Sequence, residues 1–129
     1  KNILFENNDV IESDRGIALY VSDGAMLSHI TYRNNRFERN YPDQQKKAIH
    51  VVVSKRNEHS KLGEIKDLLI QDCTFENNFP KKSQVKYEGD GIGIHLSIDN
   101  LKISGKSVCS LTEAGLEVDR ALIELKKNN

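Results

Sequence analysis

The sequence predicts an all-β chain built as a parallel β-helix, a solenoid of about three to four coils with three short strands each. Two recurring patterns and the columns they generate carry that prediction. The first pattern is Ile30-Thr31-Tyr32-Arg33-Asn34-Asn35-Arg36-Phe37: two apolar residues at alternate positions, a polar turn rich in Asn, and an apolar residue five places after the second. The second is a small residue followed by strict alternation, as in Gly16-Ile17-Ala18-Leu19-Tyr20. Alternation of this kind has the period of a strand.

The first pattern recurs as Ile3-Leu4-Phe5-Glu6-Asn7-Asn8-Asp9-Val10 and as Leu68-Leu69-Ile70-Gln71-Asp72-Cys73-Thr74-Phe75. A degenerate fourth copy reads Leu101 to Cys109, so the copies start 27, 38 and 33 residues apart. The second pattern returns as Ala48-Ile49-His50-Val51-Val52 and Gly91-Ile92-Gly93-Ile94-His95. Stacking the copies predicts five columns of like residues. These are Ile3, Ile30, Leu68 and Leu101; Phe5, Tyr32, Ile70 and Ile103; Val10, Phe37, Phe75 and Val108; Ile17, Ile49 and Ile92; and Leu19, Val51 and Ile94. A single coil cannot bury its own inner face, whereas coils about 4.8 Å apart share one continuous core.

The Asn turn follows the same logic. Asn7, Asn34 and Asp72 align, as do Asn8 and Asn35. Asn tolerates the left-handed conformation of a sharp corner, and its amide can bond the same amide one coil away. Gly105 meets the backbone requirement at the fourth copy. An amphipathic helical hairpin fits poorly, because Gly, Asn and β-branched residues dominate the apolar stretches and their period is two.

The coils are expected over residues 1–110. The segment 111–129 departs from the pattern and reads either as an irregular last strand around Ala121-Leu122-Ile123-Glu124-Leu125 or as a helical cap. Residues 54–64 form a polar connection, and residues 78–90 a basic one with two aromatics. Long connections on a regular scaffold are where function tends to sit.

Lys and Arg number 19, as do Asp and Glu, so the formal net charge is zero. That balance gives no long-range attraction to nucleic acid or to an anionic membrane. No apolar run approaches the roughly 18 residues that span a bilayer. Cys73 and Cys109 lack metal-ligand spacing and read as two separate thiols. Lys1-Asn2-Ile3 enters the first copy without preamble, so the chain reads as a piece of something longer, with neighbouring coils or domains of a parent chain as its nearest partners.

The outward residues of the Gly-Ile strands are the candidate site. Tyr20, His50 and His95, with the small Ala18 and Gly93 beside them, are expected on one flat face. Arg15, Lys47 and Asp90 are expected in a column just before these strands. A stacking ring beside hydrogen-bonding imidazoles suits a sugar chain. The predicted substrate-binding residues are therefore Arg15, Tyr20, Lys47, His50, Asp90 and His95. The histidines are offset by two residues, so neither a metal pair nor any cofactor is expected.

Glycoside hydrolysis requires two carboxylates, about 5 Å apart when retaining and roughly 6.5–9.5 Å apart when inverting. Asp14 and Asp90 are the candidate couple near this face. Glu38 and Glu76 stack on a different face beside Arg36 and Arg39, as a solvated ladder. Phosphate loops, nucleophile settings and nucleic-acid stripes are missing from the sequence.

The run Gly16-Ile17-Ala18-Leu19 followed by Leu27-Ser28-His29-Ile30-Thr31-Tyr32-Arg33-Asn34-Asn35-Arg36-Phe37 resembles the coils of right-handed, pectin-lyase-like β-helices. These include polygalacturonase-type glycoside hydrolases, galactosidases and polysaccharide lyases. The resemblance covers residues 2–110. It implies a right-handed coil, a polysaccharide or glycan as partner, and a secreted, periplasmic or cell-surface location. A glycoside hydrolase is the activity it implies first. A non-catalytic glycan-binding or structural module is the alternative, and a polysaccharide lyase the third. The Arg and Lys that polygalacturonases carry in the Gly-Ile strand are replaced here by Ala18 and Tyr20, or by His50 and Val52. The Asn-Thr-Asp, Asp-Asp and Gly-His-Gly signatures of those enzymes are absent, and fold resemblance supplies no reaction by itself.

Overall fold

A computed structural model of the chain describes residues 2–12, 16–22, 24–40, 47–55, 57–59, 61–77 and 82–126. None of the described residues is helical. The chain begins with β1 (Ile3–Glu6), β2 (Asp9–Ile11), β3 (Ile17–Val21), β4 (Met26–Arg33) and β5 (Arg36–Arg39). It continues through β6 (Ile49–Val53), β7 (Glu64–Gln71), β8 (Thr74–Asn77), β9 (Ser83–Tyr87) and β10 (Ile94–Asp99). It ends with β11 (Lys102–Ile103), β12 (Lys106–Ser107), β13 (Leu116–Asp119) and β14 (Ala121–Lys126).

These strands form three sheets that the chain visits in rotation. The first has the order β1-β4-β7-β10-β14, the second β2-β5-β8-β11-β12, and the third β3-β6-β9-β13. Every pairing is parallel except that of β11 with β12. Strands adjacent in a sheet are therefore far apart in sequence, and like residues fall on like.

The predicted columns hold through the first three copies. Ile3, Ile30 and Leu68 are in register, as are Phe5, Tyr32 and Ile70, and so are Val10, Phe37 and Phe75. Phe37 stacks on Phe75 with ring centroids 4.8 Å apart, and Phe5 on Tyr32 at 4.7 Å. Ile30, Leu68, Ile70 and Phe75 are buried, as are Ile17, Ile49 and Val51 from the third sheet. These inner faces meet in one core.

The fourth copy is displaced from its predicted position. Leu68 pairs with Leu96 rather than Leu101, and Ile70 with Ile98 rather than Ile103. Ile103 instead takes the place predicted for Val108, opposite Phe75. The true copy is Leu96-Ser97-Ile98-Asp99-Asn100-Leu101-Lys102-Ile103, which keeps the template spacing. The first sheet then gains a fifth member, since Leu96 and Ile98 pair with Ile123 and Leu125.

The Gly-Ile columns need the same correction. Val51 pairs with Val85, so β9 supplies the third strand of that sheet from within the stretch expected to be a basic connection. Ile94 belongs to the first sheet opposite Ile65, and Ile92 is exposed. The glycines around Ile92 serve other needs. Gly91 turns the chain at φ 78°, a left-handed conformation that only Gly adopts freely. A Cβ on Gly93 would lie 2.0 Å from the Tyr87 ring, so that glycine lets the ring close over the backbone.

The segment after residue 110 contains two strands in the sheets. β13 extends the third sheet, and β14 extends the first rather than the Gly-Ile sheet.

The corner between the first and second sheets is the most regular part of the chain. Asn7, Asn34, Asp72 and Asn100 all take positive φ, between 53° and 60°. Asn34 Nδ2 donates to Asn7 Oδ1 at 2.6 Å, and Asn100 Nδ2 to Asp72 Oδ1 at 2.7 Å. One residue further on, Asn35 is buried; its Oδ1 accepts from both nitrogens of Asn8, and its Nδ2 donates to the Phe5 carbonyl at 2.9 Å.

Candidate functional site

The third sheet turns alternate residues outward, and its register sets them in two columns. Ala18, His50, Gln84 and Glu117 form one; Tyr20, Val52, Lys86 and Asp119 form the other. Buried Val51, Val53, Val85 and Tyr87 anchor the opposite face, so the outward set rests on a packed support. By strand geometry the eight positions cover roughly 14 Å across the strands and about 7 Å along them.

Within this face a hydrogen-bond chain crosses three strands. His50 Nε2 bonds Gln84 Oε1 at 3.1 Å, and His50 Nδ1 bonds the Tyr20 hydroxyl. The Gln84 oxygen only accepts, so Nε2 carries a proton; in the neutral ring Nδ1 then accepts and Tyr20 O–H donates. The Tyr20 and His50 rings meet edge to face with centroids 5.0 Å apart. Tyr20 nevertheless remains 56% exposed. Lys86 Nζ lies 3.7 Å from Glu88 Oε2. A shallow cavity of about 260 Å³ is lined by Gln84, Lys86, Glu117 and Asp119 together with Val85 and Val118.

The structure unites Tyr20 and His50 on the third sheet, and places His95 on another. His95 lies on β10 in the first sheet, opposite Leu122. Its neighbours line a small cavity that includes Asp67, Ser97 and Glu124. The reason is the displaced fourth copy: His95 belongs to the strand beginning at Ile94. Lys47 precedes β6 and is half-buried. Asp90 does not follow it in a column, because the equivalent place before β9 falls at residue 81, outside the described residues. Asp90 stands exposed in the turn between β9 and β10. Asp14 and Arg15 also lie outside the described residues.

Gln84, Lys86, Glu117 and Asp119 were not anticipated. Their signal was present in the alternation Ser83-x-Val85-x-Tyr87 and Leu116-x-Val118, which has the same period as Ile49-x-Val51-x-Val53. The basic charge of residues 81–86 obscured it.

Two further polar groups lie elsewhere. On the second sheet, Arg36 bonds Asp9, Glu38 and Glu76, each at 3.0 Å. The expected solvated ladder is thus a cluster around one guanidinium, whose pKa these carboxylates push further up. On the first sheet, His29 Nδ1 faces Asp67 Oδ2 at 3.4 Å, both residues lying at positive φ in the middle of their strands. Among the described residues no group of three or more His, Cys, Asp or Glu is placed to hold a metal ion. No helix among them is long and apolar enough to cross a membrane.

Cys73 is buried and Cys109 exposed, both as free thiols. No protein-family model, curated protein or solved structure matches the chain.

Proposed function

We propose that the chain is a stretch of right-handed, pectin-lyase-like parallel β-helix whose third sheet binds an extracellular polysaccharide or glycan along its outer face. The observation that carries this reading is the outward double column Ala18-His50-Gln84-Glu117 and Tyr20-Val52-Lys86-Asp119. Three sheets visited in rotation, with like residues in register, support the coil. A flat, ordered sheet offers regularly spaced polar groups, and an extended sugar chain offers regularly spaced hydroxyls. The exposed Tyr20 ring supplies a stacking surface for the apolar face of a pyranose. Gln84 and the two carboxylates supply directional partners for hydroxyl groups.

The test is isothermal titration of neutral, acidic and amino-sugar oligosaccharides against the wild-type chain and single variants. Tyr20→Ala should weaken binding at least tenfold, equivalent to about 1.4 kcal/mol. Gln84→Ala should weaken it less, and His95→Ala, on another sheet, should leave it unchanged. Absence of binding by every glycan, or equal loss in His95→Ala, would remove this reading.

A second reading is hydrolysis of the bound glycan. Glu117 and Asp119 project from the same side of β13 and line one cavity. Two residues along a strand span about 7 Å, within the separation used by inverting glycosidases. Release of reducing ends by the wild type and not by Glu117→Gln would establish it. Binding without turnover would leave the face a non-catalytic glycan site.

A further inference from the structure

The outward positions of the third sheet are unequal in charge. β3 and β6 contribute Ala18, Tyr20, His50 and Val52, and none of these carries a fixed charge. β9 contributes Gln84 and Lys86, and β13 contributes Glu117 and Asp119. Lys86 is the register mate of Asp119, yet its ammonium pairs with Glu88 of its own chain segment at 3.7 Å. Arg120, next to Asp119, donates to the Gly89 carbonyl at 2.7 Å. Lys47 and Lys82 precede β6 and β9, at the end of these strands opposite to Lys86 and Asp119. The cations nearest the two carboxylates are thus held by other groups, and the remaining ones stand away.

Glu117 and Asp119 line the shallow cavity together with Gln84 and Lys86. Two residues along a strand span about 7 Å, so a group seated midway between the carboxylates reaches both. A carboxylate only accepts hydrogen bonds, whereas an ammonium donates three and carries the opposite charge. A carboxylate on the ligand would bring a like charge to the same place, and like-charge contacts of this kind exclude a partner. The exposed Tyr20 ring stands on β3, roughly 14 Å across the strands from β13. A ligand touches the ring and the carboxylates together only as an oligomer.

On the reading of this face as a glycan site, we infer that its ligand is an oligosaccharide of amino sugars. One protonated amine sits between Glu117 and Asp119, and a pyranose further along stacks on Tyr20. A neutral glycan keeps the ring contact and loses the charged one. A polyuronate meets the β13 carboxylates with carboxylates of its own. Tyr20 therefore holds glycans in general, and the β13 pair chooses among them.

The test is isothermal titration of the full chain at about pH 6 with three tetrasaccharides: glucosamine, its N-acetylated counterpart, in which the amine is capped, and galacturonate. The glucosamine tetramer should bind about tenfold tighter than the N-acetylated one, with the galacturonate tetramer weakest. Raising the salt to about 0.5 M should narrow that gap. The double variant Glu117→Gln, Asp119→Asn keeps the shape and removes the charge. With a wild-type far-UV spectrum and melting transition, it should bind the glucosamine and N-acetylated tetramers within about twofold of each other. Tyr20→Ala should weaken both and leave their ratio at the wild-type value. Preference for the N-acetylated or galacturonate tetramer, or an unchanged ratio in the double variant, overturns the inference and leaves the glycan face standing. Absence of binding by all three removes the glycan reading itself and this inference with it.

Discussion

The corner that joins the first sheet to the second and the connections that return from the third sheet to the first solve the same problem differently. The corner takes two residues each time: Asn7-Asn8, Asn34-Asn35, Asp72-Cys73 and Asn100-Leu101. The return connections vary freely: residues 22–25, 54–63 and 88–93 join successive strands, and Arg120 alone separates β13 from β14. The corner is constrained because its residues stack on their own kind. A left-handed residue starts each turn, the following side chain points inward, and amides bond amides one strand away. A return connection leaves the stack, so only its end points are fixed. Regularity therefore marks where neighbouring copies touch.

The sharpest way to break this contrast is to lengthen the corner. One glycine inserted between Asn34 and Asn35 moves β5 by one residue against β2 and β8. A one-residue slip exchanges the two faces of a strand, turning Phe37 to solvent and Arg36 or Glu38 inward. The expected loss exceeds about 4 kcal/mol, or removes cooperative unfolding altogether. Urea denaturation followed by far-UV circular dichroism measures it. A loss below about 1 kcal/mol would mean that the corner is not what holds the register.

Removing one amide is the next test. Asn35→Ala deletes an acceptor for the Asn8 main-chain N–H and a donor to the Phe5 carbonyl, in a side chain that is only 3% exposed. Losing the three hydrogen bonds of this buried amide, at about 1 kcal/mol each, costs about 2–3 kcal/mol. Asn34→Ala, at the exposed position beside it, loses one solvent-facing bond and strains a left-handed residue, for about 1–2 kcal/mol. Equal costs in the two variants would deny the inner amide its special role.

The same contrast explains what the sequence disclosed. Three copies of the corner template were legible because a leading Asn or Asp and flanking apolar residues recur at fixed spacing. The fourth was misplaced because its inner corner residue is Leu101, which reads as the start of a strand rather than the end of a turn. That shift carried Ile92 and His95 onto the wrong sheet. It also hid β9, whose Ser83 takes a place held elsewhere by Ile17 and Ile49. Ser83 is buried and its hydroxyl accepts from the Ile49 N–H at 3.0 Å, so a polar residue serves an apolar position. These errors hid four of the eight outward positions: Tyr20 and His50 stand in intact copies, while Gln84, Lys86, Glu117 and Asp119 lie in misread ones.

Cys73 tests the corner chemically. It occupies the inner position held by Asn8 and Asn35, with its thiol 3.5 Å from the Tyr32 carbonyl and 3.4 Å from that of Gln71. Burial pushes this thiol above its ordinary value of 9.0, against an opposing contribution from hydrogen bonding to Asn35 and Gln71. Burial pushes the Tyr32 hydroxyl above 10.0 in the same way. Both groups favour the folded state in their neutral forms. Their contribution is complete below the ordinary values and is lost as pH rises through the folded ones, so stability should begin to fall above about pH 9. Iodoacetamide at pH 8 should label exposed Cys109 in the native chain and Cys73 only at the rate of unfolding, as read by peptide mass. Labelling of both thiols at one rate would show that the inner corner position is open to solvent.

The smallest effect is expected in the longest return connection. Glu58 and His59 are each 88% exposed in their side chains, and both belong to a turn that pairs with no strand. Two residues, Gly-Ser, inserted between them lengthen the loop only slightly, and closure entropy grows with the logarithm of loop length. The expected cost is below about 0.5 kcal/mol. The loop regains its place further on, where Leu62 packs against the core and Gly63 passes so close to the Ala25 carbonyl that a Cβ there would lie 1.9 Å from its oxygen. Gly63→Ala should therefore cost far more than the two-residue insertion, although it adds a single methyl group. The reverse order would place the anchor in the loop tip and would end the distinction between stacked corners and free returns.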